Sequence, residues 1–376
     1  MELADFDYDL PKELIAQEPL KIRDEAKLMV VKRQKIEDKF EHRTFQDLAE
    51  YLNPGDTLVL NDTKVLPARL FGNKKGSGGK VELLLLKELE KDTWEVLVRG
   101  RRIRAGTRLT FGEGKLEGEV KDRTLSGGRK VKFFYQGKFL EILKELGQLP
   151  LPPYIHQELK DENYYQTIYA QNEGSAAAPT AGLHITTHLL EDIRSKGVNI
   201  AYLTLHINLD TFRPIRCEDI SSHQMFSEYY EISDKTARII KETKRRGKRI
   251  IALGTTTVRA LESAAGATNT STVITGLIRP KPFGFVCPTP TMSHEPSATS
   301  HEPSAMSQKG WTNLFIYPDY RFKIVDVLVT NFHFPKSTLL TLVCAFASRD
   351  LIFKAYGEAI KMGYRFLSLG DSMLII

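Results

Sequence analysis

Two rhythms of apolar and polar positions divide the chain. Between residues 70 and 135, short β-rich runs at 80–86, 94–98, 108–111, 116–120 and 129–135 are separated by glycine turns such as Gly76-Ser77-Gly78-Gly79 and Gly127-Gly128. Several short strands at that spacing predict a small all-β barrel. A brief amphipathic helix over 138–146 follows, ended by Gly147 and the prolines Pro150, Pro152 and Pro153. Beyond them the rhythm changes to strands alternating with helices. Helices are predicted over 187–196, which Gly197 ends, and over 234–246, 336–347 and 351–362, with another running through Arg259 and Glu262. Strands are predicted over 198–207, 249–253, 325–330 and 365–369, and a further strand over 57–60 comes after the turn Asn53-Pro54-Gly55-Asp56. Such alternation belongs to βαβ units and a mostly parallel sheet. The predicted fold class is α/β: a mixed, mostly parallel sheet domain over 1–69 and 150–376, interrupted by a small all-β barrel domain over 70–149.

One stretch breaks the pattern. Residues 293–298 and 300–305 both read Ser-His-Glu-Pro-Ser-Ala, in a tract poor in aliphatic residues. Too little apolar surface is available there to offset the entropy of ordering, so a flexible surface insertion is predicted over about 286–309.

Composition narrows the functional classes. A length of 376 residues exceeds one ordinary core, and 41% hydrophobic with 27% charged residues are globular values. The apolar run 339–347 falls far short of the roughly 20 residues of a membrane helix, and the acidic N-terminus lacks a signal-peptide pattern. A cytoplasmic location and no membrane partner are expected. Cys217, Cys287 and Cys344 are isolated, which indicates neither a disulfide framework nor a metal site. The net charge of +6 is mild but clumped, with Arg99, Arg101, Arg102 and Arg104 in one hexapeptide and Lys241, Lys244, Arg245, Arg246, Lys248 and Arg249 in another short span. Such clusters suit phosphates, although a solvated surface carries the same pattern. No coiled-coil or apolar seam is visible, so a monomer is expected.

Candidate chemistry gathers where predicted strands end, the place where open α/β sheets bind ligands. His206, Gly254-Thr255-Thr256-Thr257, Thr330-Asn331-Phe332-His333 and Gly370-Asp371 all stand there. In Ser175-Ala176-Ala177-Ala178-Pro179-Thr180-Ala181-Gly182-Leu183-His184 the small residues, Gly182 among them, allow close backbone approach, while Thr180 and His184 add polar groups. Gly254 to Thr256 open a helix whose free amides suit a carboxylate or phosphate. Arg259 and Glu262 lie three apart on that helix, where a plain salt bridge is equally open. His184, His206, His223 and His333 are acid–base candidates because imidazole titrates near neutrality.

These same segments carry a resemblance. Phe6-Asp7-Tyr8-Asp9-Leu10-Pro11, Asn61-Asp62-Thr63 with Pro67-Ala68-Arg69-Leu70, Pro150-Leu151-Pro152-Pro153-Tyr154-Ile155 and Tyr165-Gln166-Thr167 occur in order. Ala178 to His184, Gly254 to Arg259, Thr330 to His333 with Pro335-Lys336-Ser337, and Gly370-Asp371 then follow. The chain resembles, along nearly its whole length, the S-adenosylmethionine:tRNA ribosyltransferase-isomerase family of queuosine biosynthesis. Asn208 and Asp210 stand where that pattern has glycines, Phe226 where it has a second histidine and Asp319 where it has glycine; the Ser-His-Glu-Pro-Ser-Ala insertion is foreign to it.

The resemblance implies transfer and isomerisation of the ribosyl part of S-adenosylmethionine onto the 7-aminomethyl-7-deazaguanine of a tRNA wobble position. Epoxyqueuosine-tRNA forms, adenine and methionine leave, and no cofactor is held permanently. With it come expected roles. His184, His206 and His333 would move protons; Thr180, Gly182, Gly254, Thr255, Thr256 and Asn331 would orient the donor. Glu262 or Asp371 would hold a hydroxyl or amine, Arg259 a carboxylate or phosphate, and Arg99, Arg101, Arg102 and Arg104 the RNA. A small-molecule nucleoside or sugar enzyme without RNA, and a tRNA-binding homologue with impaired catalysis, are the competing readings.

Overall fold

The computed structural model describes residues 1–33, 40–124, 127–157, 159, 161–208, 215–266 and 308–376. Most of the predicted insertion, including both Ser-His-Glu-Pro-Ser-Ala copies, and Cys287 and Asp210 lie outside the described residues. In chain order the first strands are β1 (Lys27–Val31), β2 (Glu41–Thr44), β3 (Thr57–Asn61) and β4 (Thr63–Val65). The barrel follows with β5 (Arg69–Lys74), β6 (Lys80–Glu90), β7 (Thr93–Arg99), β8 (Arg108–Phe111), β9 (Leu116–Arg123), β10 (Arg129–Tyr135), α1 (Phe139–Leu146) and β11 (Gly147–Gln148). Next come β12 (Asn172–Ser175), α2 (Thr187–Ser195), β13 (Asn199–Leu205), β14 (Glu228–Ile232), α3 (Asp234–Arg245), β15 (Ile250–Leu253) and α4 (Thr255–Gly266). The chain continues with β16 (Gln308–Thr312), β17 (Val327–Asn331), α5 (Thr338–Ala347), α6 (Arg349–Lys361) and β18 (Ser372–Ile375).

Nine strands form the large mixed sheet in the order β16-β14-β13-β3-β15-β17-β18-β1-β2. Its centre, β13-β3-β15-β17, is parallel, as is β18 with β1; the flanking pairs and β17 with β18 are antiparallel. The central strands Thr-Leu-Val-Leu-Asn, Ile-Ile-Ala-Leu and Val-Leu-Val-Thr-Asn are buried at every position, which is why they read as continuous apolar runs rather than alternating ones. On one face α3 to α6 pack over Val59, Leu203, Ala252 and Leu328. The other face, with Leu58, Leu60, Leu253 and Val329, is covered by α2 and the 3-10 turn Phe45–Tyr51. Polar caps set where helices start: Thr186, Ser233 and Ser337 each accept a backbone N–H from the residue three further on, at the heads of α2, α3 and α5.

In the barrel β5 to β10 pair antiparallel and close into a ring through β5 with β8, while β11 adds outside β5. Leu70, Leu83, Val96, Phe111, Leu116 and Phe133 fill it, and Leu143 of α1 plugs one end. Gly147 pairs with Leu70 where a Cβ would lie 1.9 Å from the carbonyl oxygen of Pro67. Entry and exit therefore run side by side, which lets the insert close on itself.

The expected last strand over 365–369 is corrected. Leu367 takes a left-handed φ of 71°, and the N–H groups of Gly370 and Asp371 bond back to Leu367 and Arg365. That segment is a turn, and the strand lies immediately after it. Because β18 runs against β17, with Ser372 opposite Asn331, Gly370-Asp371 still arrives at the edge where β17 ends.

Candidate active site

At the carboxyl ends of the central strands, separate stretches of chain converge on one cavity of about 400 Å³. β15 stops at Gly254, whose φ of 91° suits a residue without a Cβ, and α4 starts at once with Thr255 and Thr256. β17 delivers Thr330 and Asn331, Phe332 and His333 follow, and Ser337 caps α5. Ala178 to Ala181 cross opposite, and Pro153 and Tyr154 come from the segment leaving the barrel. Thr180, Gly254, Thr255, Thr256, Asn331 and His333 thus share one cavity.

Hydrogen bonds hold these groups in place. Thr180 Oγ1 donates to Asn331 Oδ1 at 2.9 Å, and Asn331 Nδ2 lies 3.4 Å from His184 Nε2. His184 Nδ1 faces the carbonyl of Arg23 at 3.2 Å, so its proton belongs there and Nε2 accepts from Asn331. Asn61 bonds both backbone groups of Leu205 and donates to Thr256 Oγ1 at 3.2 Å, tying the ends of β3 and β13 to the head of α4. His333 is held through its main chain, its N–H donating to Tyr356 Oη and its carbonyl accepting from Tyr8 Oη. Its Nε2 lies 2.9 Å from Thr330 Oγ1.

Among the described lining residues, only His333 and Tyr154 have titratable side chains. Burial pushes His333 down to about 3 and His184, behind the wall, down to about 4. Both are neutral at physiological pH. Burial also pushes Tyr154 up to about 12, so its phenol stays protonated. Its oxygen lies 2.5 Å from Ser368 Oγ, and its ring meets Phe334 edge-on with centroids 5.0 Å apart. The cavity wall carries no aspartate, glutamate, lysine or arginine among the described residues. Negative charge there must be met by dipoles: α4 and α5 both point their amino ends at the space.

The structure sets other candidates apart. Gly182 lies outside the cavity, under Tyr169, whose hydroxyl would be 2.1 Å from a Cβ there. His206 faces a second cavity of about 410 Å³ with Asp62, Tyr229 and Glu231; it bonds Thr63 Oγ1 at 2.8 Å and stacks on Tyr229. Arg259 turns away to a buried ion pair with Glu228 and to the carbonyl of Leu314. Glu262 accepts the backbone N–H groups of Lys323, Ile324 and Val325 and the hydroxyl of Tyr320, so the open salt bridge between Arg259 and Glu262 gives way to separate partners. Asp371 accepts the N–H groups of Lys27 and Arg365. His223 packs edge-on against Phe315. Asn208 bonds Glu228 Oε1 through its backbone N–H at 2.9 Å.

The two basic clusters differ. Arg99, Arg101, Arg102 and Arg104 are exposed on the barrel, Arg99 with 86% of its side chain accessible. In the other, Lys244 pairs with Asp326, Arg245 and Arg246 with Glu242, and Arg249 with Asp56. That cluster precedes β15, at the edge opposite the cavity. Tyr154, Ser368, Phe334 and Asn61 were not among the predicted site residues. Tyr154 follows the proline run that reads as a boundary, and an aromatic residue placed directly after such a rigid segment is the signal that marks it.

Comparison with known proteins agrees along the chain. Residues 3–375 match the family described as queuosine biosynthesis protein. The S-adenosylmethionine:tRNA ribosyltransferase-isomerases of Halothermothrix orenii, Pelotomaculum thermopropionicum and Desulforamulus reducens are 50%, 51% and 49% identical to it, each covering 100% of both chains. A crystal structure of S-adenosylmethionine tRNA ribosyltransferase from Thermotoga maritima matches with a TM-score of 0.52 at 38% identity, over 99% of this chain and 100% of that one. With a match that leaves out only the outermost residues and relatives aligned end to end, the chain belongs to the queuosine biosynthesis protein family.

Proposed function

We propose that the chain is an S-adenosylmethionine:tRNA ribosyltransferase-isomerase whose sulfonium donor occupies the cavity between the heads of α4 and α5. The observation that carries this reading is the meeting of Thr180, Thr256, Asn331 and His333, from well-separated parts of the sequence, around one space. The donor's carboxylate is placed at the free amides of the two helix heads, which attract an anion without a cationic side chain. Thr180 and Asn331, locked to each other, present polar atoms to ribose hydroxyls. The rings of Tyr154 and Phe334 wall the part where a flat purine fits.

The sulfonium makes the neighbouring C5′ hydrogens acidic, and a neutral base at that carbon is what the first step needs. His333 is the histidine that lines the cavity, and it is neutral there. It takes the proton. His184, one layer back, holds Asn331 and so acts through it. Proton loss at C5′ starts the rearrangement in which the ribosyl group passes to the aminomethyl nitrogen of the 7-deazaguanine, with adenine and methionine as leaving products.

The acceptor nucleotide is reached in the single-stranded anticodon loop of a tRNA. Arg99, Arg101, Arg102 and Arg104 on the barrel meet its phosphates. The expected working form is a monomer in the cytoplasm. Among the described residues no helix is long and apolar enough to cross a membrane.

Incubation with S-adenosylmethionine and tRNA bearing the aminomethyl-deazaguanine tests the reading. Free adenine is expected only when that tRNA is present. Donor turnover independent of RNA, or tRNA binding with no adenine release, overturns it.

A further inference from the structure

We propose that Tyr154 is the proton donor to the departing adenine, with Ser368 stabilising the phenolate that results. The proposal rests on the reading above, in which the donor occupies this cavity. Departure of a purine from C1′ needs a group that neutralises the charge growing on the leaving ring, because a purine anion is a poor leaving group. Among the described lining residues, Tyr154 is the acidic partner to a histidine held neutral. Tyr154 brings a protonated group and His333 an unprotonated one to the same space, as a paired acid and base require.

Contacts on the phenol oxygen offset part of the effect of burial and are placed to hold a phenolate. Its oxygen lies 2.5 Å from Ser368 Oγ, and the backbone N–H of Ser368 also points at it; both contacts favour the charged form against the effect of burial. The main chain is fixed as well: Gln17 Nε2 donates to the carbonyl of Tyr154 at 2.9 Å, and Gln17 Oε1 accepts from the N–H of His156 at 3.0 Å. Phe334 packs edge-on to the ring and limits its swing.

The step balances. The C1′–N9 bond breaks and its electron pair goes to the purine, while the ribose ring oxygen supplies electrons to C1′. The Tyr154 O–H bond breaks and its proton passes to a ring nitrogen, giving neutral adenine and a phenolate. Ser368 donates to that oxygen until solvent returns a proton.

The test uses Tyr154→Phe, which keeps the ring and removes the acid, with Ser368→Ala beside it. Single-turnover release of the purine is measured with saturating S-adenosylmethionine and acceptor tRNA, and donor affinity is measured separately by equilibrium binding. Release by Tyr154→Phe is expected to fall roughly a hundredfold and by Ser368→Ala roughly tenfold, with donor affinity changed less than about threefold. An S-adenosylmethionine analogue carrying 8-azaadenine, a better leaving group, is expected to restore most of the rate to Tyr154→Phe. Release by Tyr154→Phe within about threefold of wild type, or an equal defect with both donors, overturns the proposal. Wild-type protein that releases no adenine overturns the functional reading itself, and the proposal with it.

Discussion

At the scale of single residues, three histidines of equal standing in the sequence occupy different environments. His333 faces the cavity, His184 supports Asn331 and His206 belongs to another space. Replacing His333 with Gln should lower turnover by roughly a hundredfold while leaving donor affinity nearly unchanged, the signature of a base. His184→Gln should instead weaken donor affinity and turnover together, because it loosens Asn331. Rates and equilibrium binding measured on both variants decide this. Burial has a second result. The rings of His184 and His333 titrate at about 4 and about 3 when folded, below the unfolded value of 6.5. The unfolded chain therefore takes up protons first as pH drops. Stability is fully present above about pH 6.5 and is lost as pH falls toward the folded values, by about 1 kcal/mol per ring over the first unit. Urea unfolding at a series of pH values should show this decline, and His184→Gln should make it shallower. Which histidine stands where was not legible, since a ring's surroundings come from residues such as Arg23 and Asn331 that are remote in sequence.

Among elements, the glycine and proline punctuation and the apolar runs made the barrel and the alternating helices readable. The last strand was not. Two short apolar stretches flank Gly370-Asp371, and only long-range pairing of Ser372–Ile375 with both β17 and β1 selects the second. Arg259 shows how packing between elements reassigns a residue. One turn into α4 it reads as a ligand to an anion, yet it spans to Glu228 on β14, where both side chains are almost wholly buried. Arg259→Ala leaves the Glu228 carboxylate without its guanidinium in a dry place and should destabilise the fold by about 3–5 kcal/mol. A fall in the urea midpoint of Arg259→Ala, with donor affinity per folded molecule retained, is the expected result; unchanged stability with lost affinity would return Arg259 to the binding site.

Across the whole molecule, the ends of β15 and β17 share the expected cavity while His206 and Asp371 stand outside it, and the lack of charged walls was not legible in the sequence. That property emerges only when Glu262, Asp371 and Arg259 are seen spent on main-chain and ion-pair contacts. Charge lies instead on the surface, and its two clusters divide: one is largely neutralised by carboxylates at the edge opposite the cavity, while the barrel arginines stand in solvent. Changing Arg99, Arg101, Arg102 and Arg104 to Gln should weaken tRNA binding at low salt and reduce the slope of log affinity against log salt by about 3 to 4. S-adenosylmethionine binding should stay constant. Filter binding over a salt series checks both, and an unaltered slope would move the RNA path off this face of the barrel.

The place of Ser372–Ile375 between β17 and β1 bears on how the chain is born. Some 340 residues are made between β1 and its inner neighbour β18. Asn331 meanwhile waits for the segment that will stand opposite it. Until Ser372–Ile375 slides between them, β17 and β1 leave a gap in the sheet beside Asn331, so the cavity's wall and the sheet's far edge are joined by the same late pairing.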